Sequence, residues 1–111
     1  MLQRVRIQIL DNPMEAVILN AEEFEGAARN QSITDELRNE LVYYYQTMVS
    51  VEYIDLFYDN LAFPEIRELL RRGNITTPVV MINGIPKIHG GIPRTIIRDE
   101  VEKLMSSGPV H

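Results

Sequence analysis

Residues 75–91 read Ile75-Thr76-Thr77-Pro78-Val79-Val80-Met81-Ile82-Asn83-Gly84-Ile85-Pro86-Lys87-Ile88-His89-Gly90-Gly91, and the reading of the rest follows from them. Val79 to Ile82 is an apolar run rich in β-branched residues, which predicts a buried strand. Asn83-Gly84 suits the positive φ angles of a tight hairpin turn, so Ile85 to Ile88 should return as a second strand ending at Gly90-Gly91. Pro78 has no N–H to donate, which leaves a neighbouring backbone group for another partner. On these residues alone, a cis Pro78 and a trans proline marking a strand edge are equally open.

Downstream, Pro93 opens a helix through about Met105, with Ile96 or Ile97, Val101, Leu104 and Met105 as its apolar stripe. Upstream, Phe63-Pro64 starts a helix that runs to about Arg72, and Gly73-Asn74 ends it. Val49 to Phe57 reads as a strand with Val51 and Tyr53 on one face and Ile54 and Leu56 on the other. Before it, Leu37, Leu41, Tyr44, Tyr45 and Met48 recur at helical spacing, which predicts a long helix with Tyr44 and Tyr45 at its core face. Ser32 is the expected N-cap of that helix, with Asp35 in its first turn.

Gln3 to Leu10 alternates, with Val5, Ile7 and Ile9 opposite Arg4, Arg6 and Gln8, and Asp11-Asn12-Pro13 is expected to end that strand as a turn. Two readings stand for residues 14–31: a short helix capped by Asn20 with Phe24, Ala27 and Ala28 inward, or a short extended piece from Ala16 to Leu19.

The chain has 111 residues, 45% of them hydrophobic and 24% charged, which predicts one domain over residues 1–105 and a flexible tail over 106–111. A net charge of −5 argues against nucleic-acid and anionic-membrane partners. No apolar run reaches the roughly 18 residues of a membrane span, and the first ten residues lack the pattern of a signal peptide, so a cytoplasmic location is expected. The chain contains no cysteine and two histidines, His89 and His111. Disulfides, thiolate nucleophiles and an intrinsic dithiol cycle are therefore excluded, and no metal or other cofactor is expected.

The order strand, helix, strand, helix, hairpin, helix, together with Thr77-Pro78 and the tract PVVMINGIPKIHGG, resembles the thioredoxin-like fold. Within it the closest similarity is to glutaredoxins, to small bacterial disulfide oxidoreductases of this fold and to arsenic metallochaperones. The resemblance implies an α/β domain with a four-stranded mixed sheet, a βαβ unit plus a C-terminal β-hairpin, flanked by helices. It also implies a cis Pro78, with Thr77 presenting its backbone N–H and C=O to an extended peptide or to glutathione.

This sequence departs from the family at two places. Ile92-Pro93 stands where glutaredoxins carry a polar or acidic residue. The window from Asp11 to Thr34, where the redox cysteines would lie, holds no thiol. Ser32 and Thr34 are not credible nucleophiles there, because an alcohol's pKa is too high and no base adjoins them. The candidate groove implied is Ser32 and Thr34 facing Thr77, Pro78, His89, Gly90 and Gly91.

The leading expectation is a non-catalytic module that binds a peptide or protein partner. The alternative is a glutathione-binding carrier or transferase-like enzyme that uses its ligand's own thiol, with Tyr43 or Ser32 donating to the thiolate. Homodimerisation through the surface around Leu61 to Phe63 is a third expectation.

Overall fold

The structure, a computed structural model, describes residues 4–12, 21–58 and 61–106. Seven principal elements follow one another: β1 (Val5–Asp11), α1 (Ala21–Tyr45), β2 (Val49–Asp55), α2 (Pro64–Arg71), β3 (Val79–Ile82), β4 (Ile85–His89) and α3 (Arg94–Ser106). The strands form one mixed sheet in the order β2-β1-β3-β4. β1 pairs parallel with β2, Val5 opposite Val49, and antiparallel with β3, Ile7 opposite Ile82. β3 and β4 close the sheet as an antiparallel hairpin. The chain is thus an α/β domain built on a parallel β-helix-β unit and a C-terminal hairpin.

Alternation along β1 sorts side chains between two cores. Val5, Ile7 and Ile9 are fully buried with Val49, Val51, Val80 and Ile82, and α1 covers this face with Leu37 and Leu41 while α3 contributes Ile97 and Val101. Leu10 turns to the other face, where Leu56, Val79, Met81 and Ile66 of α2 form a smaller cluster. All four residues of β3 are buried, as the apolar run required, because both faces of that strand are covered. The hairpin turn has φ of 52° at Asn83 and 82° at Gly84, the conformation expected of Asn-Gly. At the exposed edge, β4 carries Pro86 and a bulge where Val80 pairs Ile88 but Met81 pairs Pro86, features that discourage edge-to-edge association.

The helix ends follow local chemistry. Phe63 adopts a left-handed conformation with φ 56° and Pro64 sits in the first turn of α2. At the other end Gly73, φ 77°, donates to the Leu70 carbonyl and Asn74 donates to that of Leu69, the double bond of a Schellman stop. α3 is tied to α1 by Arg94–Glu36 at 3.1 Å and Arg98–Glu40 at 2.7 Å.

Three expectations are corrected. Ser32 is not an N-cap: α1 is continuous from Ala21, so Ser32 lies in its interior. The cost of serine within a helix is only about half a kcal/mol, and burial of Leu37 and Leu41 on the same helix outweighs it. Tyr44 is 65% exposed, and of the two tyrosines assigned to the core only Tyr45 packs against it. Asp11 is not a turn residue but the buried last residue of β1. Of the two readings for residues 14–31, α1 takes the helical one from Ala21 on. Asn20, the Ala16 to Leu19 alternative and the tail beyond Ser106 lie outside the described residues, as do the side chains of Phe24, Ala27 and Ala28.

Ile7→Ala removes a fully buried side chain from the centre of the sheet and is expected to cost about 2–5 kcal/mol in urea unfolding. Arg98→Ala, which deletes a half-exposed ion pair, should cost less than about 1 kcal/mol. Equal losses would contradict this packing.

Candidate functional site

One end of the sheet gathers most of the residues singled out in the sequence. The Thr77–Pro78 peptide bond is cis, and Pro78 is buried where it leads into β3. Val79 pairs with His89 at the end of β4, so Gly90 comes back beside the corner. The Gly90 N–H donates to two carbonyls, Thr76 at 3.0 Å and Pro78 at 2.8 Å, and clamps the residues on both sides of Thr77. The Thr76 N–H makes a long 3.4 Å contact to His89 Nδ1. Thr77 itself is half-buried, and its own N–H and C=O enter no hydrogen bond among the described residues. Gly90 has φ 83°, and a Cβ there would lie 3.1 Å from Thr76 Oγ1. The conformation is the larger obstacle to a side chain, because a hydroxyl can rotate away whereas a left-handed backbone costs about 1–2 kcal/mol.

Continuing the pairing of Ile7 with Ile82 and Leu10 with Val79 places Asp11 opposite Pro78. Asp11 is 3% exposed, and its carboxylate is satisfied from three directions. Oδ2 accepts from the Tyr53 hydroxyl at 2.7 Å and from Asn30 Nδ2 at 3.4 Å, and Oδ1 accepts from the Asn12 N–H at 2.9 Å. Burial of the ring raises the Tyr53 pKa well above its ordinary value, and the hydrogen bond to Asp11 and the charges of Asp11 and Asp55 add to the rise. A neutral Tyr53 therefore serves as a fixed donor to Asp11. The sequence held one signal for this cluster: Tyr53 lies on the inward face of β2, where a hydroxyl needs a buried acceptor.

Asn30 also fixes where α1 meets this end. The helix passes Asp11 at Asn30, and nine residues before it, roughly 13 Å of helix, run on from that point. Ser32 and Thr34 follow Asn30 within about one turn, so they belong to the same end of the sheet as Thr77–Pro78. Ser32 is exposed and helical, whereas Thr34 is fully buried with its hydroxyl donating to the Asn30 carbonyl at 2.8 Å. Burial keeps Thr34 out of a ligand's reach, and neither residue hydrogen-bonds to the Thr77–Pro78 corner among the described residues. Tyr43 lies eleven residues beyond Ser32 on α1, about 16 Å away, is 79% exposed, and stacks edge-on against Tyr44. Gly91 is half-buried and leads into α3. Leu61 is exposed, but Phe63 packs on the smaller core.

Among the described residues no three His, Asp or Glu side chains are grouped to hold a metal ion, and no helix is long and apolar enough to cross a membrane. The sequence matches no protein-family model and no curated protein.

Tyr53→Phe leaves the buried Asp11 carboxylate short of its nearest donor and is expected to destabilise the domain by about 1–2 kcal/mol. The pH dependence carries a second signature. Above about pH 10 the unfolded chain releases the Tyr53 proton while the folded chain keeps it, so wild-type stability falls as pH rises through that range. Denaturant titrations from pH 8 to 11 should show a shallower fall in Tyr53→Phe, and identical slopes would contradict the buried donor.

Proposed function

We propose that this chain is a cysteine-free protein of thioredoxin-like fold that binds an extended segment of a partner protein by strand addition at Thr77. The observation that carries this reading is the half-buried Thr77, whose backbone donor and acceptor are unpaired while both neighbours are held by Gly90. A buried or half-buried backbone pair is costly to leave unmade, and an extended peptide supplies its complement. The position of His89 beside Thr76 supports it, as does the likeness of residues 76–91 to the ligand-facing corner of that fold.

Binding is the whole activity in this reading, since the chain supplies no thiol and no described nucleophile–base pair at the corner. Its charge of −5 favours a segment carrying lysine or arginine. Nothing in the geometry favours the glutathione alternative. Tyr43, one of the two groups offered as a thiolate donor, lies about 16 Å along α1 from Ser32, and Ser32, the other, makes no hydrogen bond to the corner among the described residues.

The test is a titration of the isotope-labelled chain with unstructured eight-residue peptides bearing Lys, followed by amide chemical shifts. Shifts should centre on Thr76, Thr77, Val79 and Gly90, and N-methylation of the peptide bond opposite Thr77 should abolish them. Shifts confined elsewhere, or none at millimolar peptide, would reject the proposal.

A further inference from the structure

The end of the sheet opposite Thr77 carries an arrangement that strand addition does not use. α2 has eight residues, about 12 Å, and its cluster with Leu10, Val79, Met81 and Leu56 covers only the half of that face near the end of β1. The other half of the face is open. There a shallow groove of about 420 Å³ is lined by Arg4, Arg6, Thr47, Met48, Ser50 and Asn83, with Val5 at its base.

The charge at this groove is one-sided. Arg4 and Arg6 are both exposed and stand two residues apart on extended chain, about 6.8 Å, so they project to the same side. Ser50 is the register partner of Arg6 on β2 and adds a hydroxyl beside it. Asn83 is fixed at the rim, since its Oδ1 accepts from the Arg6 N–H and its own N–H donates to the Arg6 carbonyl, both at 2.8 Å. That leaves its side-chain NH₂ as a donor. Among the described residues no Asp or Glu lines the groove. The neighbouring acid on β2, Glu52, accepts from Gln8 instead, at 3.4 Å.

Arg38, Arg71, Arg72, Arg94, Arg98 and Lys103 each have a carboxylate within 4 Å. Arg4 and Arg6 have none among the described residues, and neither do Arg29 and Lys87, but Arg4 and Arg6 alone of these four line one groove together. Two unneutralised guanidinium groups side by side repel, and a multivalent oxyanion between them removes the repulsion while accepting from both forks.

We infer that this groove is a binding site for a phosphoryl group of a small soluble ligand, held by Arg4 and Arg6 with Ser50, Thr47 and Asn83 as neutral donors. Two guanidinium groups on neighbouring same-side positions suit a diphosphate better than a single phosphate, because each can take its own phosphoryl group.

The probe is sodium pyrophosphate added to the full chain at fixed ionic strength, read by amide and arginine side-chain chemical shifts. Saturable shifts at Arg6, Thr47, Ser50 and Asn83 are expected, with orthophosphate binding more weakly. Arg6→Gln and Arg4→Gln should each weaken pyrophosphate binding about tenfold. Arg71→Gln, in α2 and outside the groove, should leave it unchanged. Unsaturable shifts spread over all cationic residues would overturn the inference. So would unchanged affinity in both groove variants, or silence toward pyrophosphate with binding to vesicles containing phosphatidylglycerol.

Discussion

The amide of Gly90 donates to the carbonyls of Thr76 and Pro78 together, and that shared bond organises one end of the sheet. It ties the loop after α2 to the end of β4, so the chain arrives at β3 with Pro78 buried and Val79 already in register with His89. Because the bond reaches past Thr77 on both sides, it fixes that residue's position while leaving its own polar backbone groups without a partner among the described residues. A glycine is required at position 90 for the left-handed conformation that points this amide inward. The corner's rigidity and its unmet hydrogen-bonding capacity therefore have one cause.

Beneath the corner the sheet is supported unequally. α1 and α3 cover one face along β1 through Leu37, Leu41, Ile97 and Val101. α2 covers only part of the other. The polar residues of β1 are sorted accordingly. Asp11, at the covered end, is buried and must be satisfied by Tyr53, Asn30 and Asn12, whereas Arg4 and Arg6, at the open end, meet solvent with their charges unneutralised. A carboxylate is tolerated inside because donors meet both its oxygens; two cations without acceptors would not be. The length of one short helix thus separates a buried polar cluster from two exposed cations.

Most of the architecture could be read from the chain because its signals were local. Val5, Ile7 and Ile9 alternate on β1, Asn83-Gly84 makes its turn from its own φ preferences, and Gly73-Asn74 stops α2 with its own backbone bonds. The errors fell where a distant contact decided the outcome. Ser32 has the chemistry of an N-cap, yet the helix passes through it, held by packing further along α1. Tyr44 fits the apolar period, but the helix end turns it to solvent. Asp11 reads as a turn residue until Tyr53, 42 positions away, brings it a hydroxyl. Of the candidate groove, Thr77, Pro78, His89 and Gly90 come together because the hairpin itself joins them, while Ser32 and Thr34 lie at the same end of the sheet with Ser32 exposed on the helix and Thr34 buried beneath it.

The account stands on an unpaired Thr77 backbone held between paired neighbours, and amide hydrogen exchange on the free chain measures that most directly. The Gly90 and Val80 amides should exchange slowly, near the rate set by global unfolding, while the Thr77 amide exchanges orders of magnitude faster. A Thr77 amide as protected as that of Gly90 would mean that the chain already satisfies the group offered to a partner, and would contradict the account.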